Sequence, residues 1–295
     1  MSDIKRNTLF RVLSAVVALP VYFFAIITDL MQSFPILILS LAVTLITLHE
    51  FYQITDRGDD GKPFISVGFI FAIITNLVMY VFAFGKVYGY TKYIPSFDAR
   101  VVMGLGVIFL STMLIIQIFK RPIKAGIYSI GVTIIGVFYI VFAFSHIILL
   151  KALSNGIYYI IILNIVIMFN DIFAYFGGVL FGKHKTNFAV SPNKSWEGYF
   201  SGLLFGMLGM IITNHFFASF FSVKLFTMIE CVILGILLSV LGSIGDLAES
   251  FFKREGSFKD SGSIIPGHGG MWDVFDALIF TYPIFYYYLV MKGIP

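Results

Sequence analysis

The chain of 295 residues is 59% hydrophobic and only 12% charged, with 20 Lys+Arg, 16 Asp+Glu and a net charge of +4. A soluble domain carries about 25% charged residues, and at this length folding buries only about three-quarters of the surface an unfolded chain exposes. Composition therefore excludes a cytosolic enzyme, a disordered tail and a secreted disulfide scaffold. The one cysteine, Cys231, has no intrachain partner, and the small, dispersed charge excess gives no footprint for nucleic acid. What remains is an all-α polytopic membrane protein.

A membrane-spanning helix needs roughly 20 apolar residues at about 1.5 Å each. In chain order the candidate runs are 10–28, 34–54, 64–85, 101–119, 127–150, 157–181, 199–221, 226–245 and 277–292, about nine transmembrane helices. The first follows Lys5, Arg6 and Arg11 but lacks a small-residue cleavage site, so it is expected to be a retained span. Nine spans put the termini on opposite sides. With the N-terminus cytoplasmic and the C-terminus outside, fourteen basic residues face inward and six (Lys86, Lys92, Arg100, Lys151, Lys224 and Lys292) face outward, the bias expected of cytoplasmic loops. That orientation places the polar stretches 182–198 and 246–276 on the cytoplasmic side, where soluble nucleotides are available. Gly202, Gly206 and Gly209 lie on adjoining turns of one run, a pattern of close helix packing. No Walker-type phosphate loop and no internal repeat is present.

The carboxylates are unevenly placed, nine of the sixteen lying from Asp171 onward. Asp171 follows Asn170 inside an apolar run, where an ionisable group is expensive and is a functional candidate by default, favoured here over a helix-packing hydrogen bond with Asn170. The next loop carries Lys183, His184, Lys185, Lys194 and Glu197. Asp246, Ser250 and Lys253 are spaced i, i+4 and i+7, so in a helix they share one face, suited to a metal-bound carboxylate and a lysine-held phosphate. By spacing alone that face serves equally as the solvated end of an amphipathic helix. Beyond it, Lys259-Asp260 leads into Pro266-Gly267-His268-Gly269-Gly270, which forbids a regular helix and can expose N–H groups as an anion-binding nest. Asp273 and Asp276 follow as the last span begins. Hard carboxylates near such a cradle suit Mg²⁺ bound to phosphate oxygens, whereas one Cys and scattered His make a zinc site improbable. His49, His146 and His215 lack metal-ligand spacing. Glu50 closes the second run and either faces an inner polar pocket or, as the favoured reading, sits at the membrane interface, where Trp196 and Trp272 are also expected.

These residues resemble the signature of the phosphatidate cytidylyltransferases, or CDP-diacylglycerol synthases. Ser250-x-x-Lys253-Arg254, Lys259-Asp260, Pro266-Gly267-His268-Gly269-Gly270 and Asp273-x-x-Asp276 follow the pattern in order. Upstream, Asn170-Asp171 through Gly182-Lys183-His184-Lys185, and Ser191-Pro192-x-Lys194-Ser195-Trp196-Glu197-Gly198, match it too. Val274 stands where the family usually has Arg, and Asn193 where it commonly has Lys. The resemblance implies transfer of CMP from CTP to phosphatidate, giving CDP-diacylglycerol and pyrophosphate. It also implies Mg²⁺ with a second metal ion, monovalent or divalent, and a homodimer in the bacterial cell membrane with a cytoplasmic-side active site and no obligate protein partner. It gives Asp246 and Asp273 to the metals, and Asp246, Lys253, Asp273 and His268 to catalysis. Substrate binding falls to Asp171, Lys183, Lys185, Lys194, Glu197, Ser250, Arg254, Lys259, Asp260, Gly267, Gly269, Gly270 and Asp276. On this reading residues 1–156 supply packing, dimer and lipid-facing helices, and 157–295 the catalytic region. A transporter, by contrast, commonly has repeated halves with a site divided between them; here the polar residues gather in the C-terminal half.

Overall fold

In hydrocarbon every backbone N–H and C=O must find its partner within the segment, which favours helices for a chain this apolar. The computed structural model describes residues 3–85, 87–89, 99–267 and 269–295, with residues 3–13, 15 and 99 by backbone alone. Lys86, Lys92 and His268 lie outside the described residues. The helices are α1 (Asp3–Ile27), α2 (Leu30–Thr55), α3 (Ile65–Phe84), α4 (Ala99–Lys120), α5 (Gly126–Ile135), α6 (His146–Ala152), α7 (Gly156–Phe181), α8 (Trp196–Phe221), α9 (Met228–Glu255) and α10 (Trp272–Met291). A π-helical segment, Gly136–Phe142, joins α5 to α6.

Among the described residues eight helices are long and apolar enough to cross a membrane, with Gly126–Ala152 counting as one. They correspond to the second through ninth predicted runs. The first run falls in α1, where the apolar stretch among the residues whose side chains are described is Val16–Ile27. Met31, Gln32 and Ser33 have φ of 48°, 64° and 62°, so α2 continues as a right-handed helix only after them, with Pro35 in its first turn, where a missing N–H costs nothing.

The chain divides into two compact units, Met1–Ala152 with Glu255–Val274, and Leu153–Arg254 with Phe275–Pro295. In the first, Phe64, Val67, Phe71, Phe109, Met113 and Val137 form an apolar core. A polar bridge joins α2 to α3: Ser40 Oγ donates to Asn76 Oδ1 at 2.5 Å, and Asn76 Nδ2 donates to Thr44 Oγ1 at 3.1 Å. Such closed side-chain bonds hold membrane helices together without a hydrophobic driving force. Two expectations are corrected in this unit. Trp272 is not an interfacial anchor but fully buried, its ring 5.5 Å from Phe51 and 6.4 Å from Tyr139. Glu50 is likewise interior, at 1% exposure, the polar-pocket alternative rather than the interfacial one, because α2 turns it toward backbone donors of the glycine-rich loop.

In the second unit α7 and α8 pack along the buried Gly198, Gly202, Gly206 and Gly209, and Phe173 stacks on Phe205 with centroids 3.7 Å apart. Tyr159, Phe226 and Phe285 fill the opposite end. Trp196 remains exposed at the start of α8, as an interfacial anchor would be.

Candidate active site

The antiparallel run of helices in the second unit brings the end of α7, the start of α8, the end of α9 and the start of α10 to one side. Asp171, Asp246 and Asp276 lie four to ten residues in from those ends, about 6–15 Å along the helices. Gly245 makes the meeting of α9 and α10 achievable: a Cβ there would lie 2.8 Å from the Asp276 carbonyl oxygen and 2.9 Å from Ala277 Cα. With the helices that close, Asp246, Glu249 and Asp276 each offer a carboxylate oxygen, all within 4.8 Å of one another.

Two lysines answer this negative charge. Lys253 Nζ pairs with Glu249 Oε2 at 2.7 Å, both residues being buried, and Lys194 Nζ pairs with Asp246 Oδ2. Lys194 also lies 5.6 Å from the Tyr199 ring centroid. Burial pushes the Lys194 ammonium below the usual lysine value, against the opposing pull of Asp276, Asp171 and Glu249. Charges removed from water need such partners, yet three carboxylates to two lysines leave a net negative site. Its donors are hard oxygens only, which suits Mg²⁺ or another divalent cation with an affinity for phosphate.

Asp246, Asp276, Lys253 and Lys194 were expected from the sequence, and the structure gathers them in one cluster. Glu249 was not assigned. The helical face that matters runs Asp246, Glu249, Lys253 (i, i+3, i+7), a spacing as legible as the one through Ser250, and Ser250 is buried beside it. Asp171 accepts from Asn170 Nδ2 at 3.1 Å, and the same amide reaches Ser243 Oγ at 3.3 Å. Glu197 holds the preceding loop: the His184 N–H donates to both its oxygens at 3.2 Å, and His184 Nδ1 lies 2.6 Å from Oε1. Ser195 caps α8 by accepting the Gly198 N–H at 3.3 Å. Lys183 and Lys185 are exposed on that loop, Lys185 Nζ donating to the Asn193 carbonyl at 3.0 Å.

The remaining expected residues belong to the first unit or the outer surface. Arg254, Lys259 and Asp260 are exposed. Gly267 and Gly269 have φ of 83° and 98°, left-handed values that favour glycine. Asp273 Oδ2 accepts hydrogen bonds from Ser261 N at 3.0 Å, Ser261 Oγ at 2.8 Å and Gly270 N at 2.7 Å, so this carboxylate closes the glycine-rich loop upon itself.

A model of the cytidylyltransferase family matches residues 9–292. The chain is 40% identical over 131 residues to the phosphatidate cytidylyltransferases of Staphylococcus epidermidis and Staphylococcus haemolyticus, and 38% identical over 133 residues to that of Staphylococcus aureus. Each stretch is 44% of this chain and 48% of the relative, so the chain spans about half the length of the curated relatives it matches. The family match runs over almost the whole sequence and includes every element that carries the acidic cluster and its lysines: the chain belongs to the cytidylyltransferase family.

Proposed function

We propose that this chain transfers CMP from CTP to phosphatidate, forming CDP-diacylglycerol and pyrophosphate on the cytoplasmic side of a bacterial cell membrane. The observation that carries the reading is the cluster of Asp246, Glu249 and Asp276 with Lys194 and Lys253, carried by helices of membrane-spanning length and the loop before α8 in a member of this family. A phosphate oxygen of the lipid attacks the α-phosphorus of CTP in line, a P–O bond forms to the lipid phosphate, and the bond to pyrophosphate breaks. Two polyanions must approach for this, so the protein's work is positioning and charge neutralisation.

Asp246, Glu249 and Asp276 would hold the divalent ion, Mg²⁺ in our proposal; when bound it supplies neutralisation of phosphate charge. The family signature also gives Asp273 to a metal, and we retain that assignment as part of the proposal, with a second ion, monovalent or divalent. Lys194 and Lys253 neutralise phosphate oxygens, aided by Ser250 and Arg254, and His268 takes a phosphate-contacting role by resemblance. Asp171, Lys183, Lys185 and Glu197 serve the nucleotide side. Phosphatidate keeps its acyl chains in the bilayer, and two copies of the chain assemble.

The test is CTP conversion by the purified protein with phosphatidic acid in detergent, with and without EDTA. Equimolar CDP-lipid and pyrophosphate that vanish with EDTA are expected. Absence of both products with phosphatidate and with isoprenoid phosphates alike overturns the reading.

A further inference from the structure

The glycine-rich loop stands on a base held by two carboxylates, and only one of them belongs to the family signature. Ile265 and Gly269 pair across the loop, Ile265 N donating to the Gly269 carbonyl at 2.9 Å and Gly269 N to that of Ile265 at 3.2 Å. Above this pair Pro266 and Gly267 form an exposed tip. Below it, Asp273 gathers Ser261 and Gly270, as described. The second carboxylate comes from α2, more than two hundred residues earlier in the chain. Glu50 Oε1 accepts the Met271 N–H at 2.8 Å, while Oε2 accepts the Trp272 N–H at 2.9 Å and the Ser261 hydroxyl at 3.2 Å.

All of these partners are neutral donors of the loop and of the first residues of α10. A carboxylate at 1% exposure is costly to bury unless its hydrogen bonds are made, and first-turn N–H groups of a helix lack intrahelical partners. Each need meets the other here, with the macrodipole of α10 favouring the negative charge. Two glycines leave room for it: a Cβ at Gly262 would lie 2.7 Å from Glu50 Oε1, and one at Gly270 2.6 Å from the same atom. An apolar residue at position 50 would fill the space but leave these donors unmet. The carboxylate is aimed at the point where loop becomes helix, which sets the direction in which the tip presents its backbone.

We propose that Glu50 is a positioning residue for nucleotide binding: it locks the base of the glycine-rich loop so that the loop is preorganised to meet the phosphates of CTP. The phosphate-binding role of the tip rests on the function proposed above; the lock itself does not. Removing the lock costs affinity for CTP before it costs affinity for the lipid.

The test combines Glu50→Gln, Glu50→Ala and Ser261→Ala in the full-length protein with His49→Gln, an exposed neighbour, as control. Gln keeps the size but turns an NH₂ group toward donors. Expected for Glu50→Gln is a rise of about tenfold in KM for CTP, with KM for phosphatidate within about twofold, and for Glu50→Ala a loss of about a hundredfold in kcat/KM for CTP. Trp272 supplies a readout independent of turnover. In a Trp196→Phe background, whose own turnover is measured first, it is the remaining tryptophan, and acrylamide quenching should rise when the lock is broken. If Glu50→Ala does not fold, Glu50→Gln and Ser261→Ala decide. CTP KM and Trp272 quenching both at wild-type level in folded Glu50→Gln overturn the proposal, as does an equal loss for both substrates. A wild-type protein without CTP turnover defeats the functional reading instead, and increased quenching in Glu50→Gln would still establish the lock.

Discussion

Each of the two units buries carboxylates, and each satisfies them in a different way. In the first, Glu50 and Asp273 are met by backbone N–H groups and the hydroxyl of Ser261. In the second, Asp246, Glu249 and Asp276 crowd together; Asp246 pairs with the ammonium of Lys194 and Glu249 with that of Lys253, while Asp276 Oδ1 accepts the Ala277 N–H at 2.6 Å. Neutral donors fixed in a backbone make a closed arrangement that orders a loop. Cations on long lysine stems make an ionic one, in which, on the function proposed, a metal ion or a phosphate oxygen takes the place of one partner. The same residue type thus orders a loop in one place and, on the function proposed, serves the chemistry in the other.

The largest effect expected from breaking this contrast is in the second unit. Asp246→Ala removes one of three converging ligands and strands the Lys194 charge, so turnover should fall about a thousandfold or more while helix content by circular dichroism is kept. EDTA should reproduce the loss in the wild type and leave Trp272 quenching unchanged, since the lock around that residue uses neutral donors. An Asp246→Ala protein within about tenfold of wild type would remove this residue from the reaction.

An intermediate effect should follow from Asp273→Asn, which keeps an acceptor for Ser261 and Gly270 but loses the charge. A role confined to the loop predicts a loss of about tenfold or less, felt in KM for CTP. The metal role carried by the family signature predicts a loss of about a hundredfold or more in kcat, with a shifted Mg²⁺ requirement. Titrating Mg²⁺ against the initial rate of the variant separates the two.

How much of this was legible in the sequence depends on what each residue needs. The membrane helices follow from apolar runs, which impose themselves locally, so the second to ninth runs are found where hydropathy puts them. Asp246, Lys253 and Asp276 could be found because they sit in a dense motif. Glu249 was one helical position away from the face chosen, and 3.6-residue periodicity accommodates Asp246 with either Glu249 or Ser250. Glu50 and Trp272 were hidden for a different reason. Their burial depends on a contact between α2 and a loop some two hundred residues later, and no local pattern encodes that. A Glu at the end of a span looks the same whether it meets water or a helix N-terminus.

The smallest effect is expected at Val274, where the family usually has Arg. Val274 follows Asp273 in the first turn of α10 and is 41% exposed. Its side chain is therefore not part of the packed core, and a longer one is not forced into it. Val274→Arg should change stability by no more than about 0.5 kcal/mol, as for other surface substitutions. It adds a positive charge to a turn where α10 already favours negative groups, so no gain in folding is expected. Turnover and the Mg²⁺ requirement should stay within about threefold of wild type, because the charge-bearing cluster already has Lys194 and Lys253. A rise of tenfold or more in kcat/KM for CTP would show instead that the missing guanidinium belongs to the phosphate-binding machinery, and that this chain works below the capacity of its own fold.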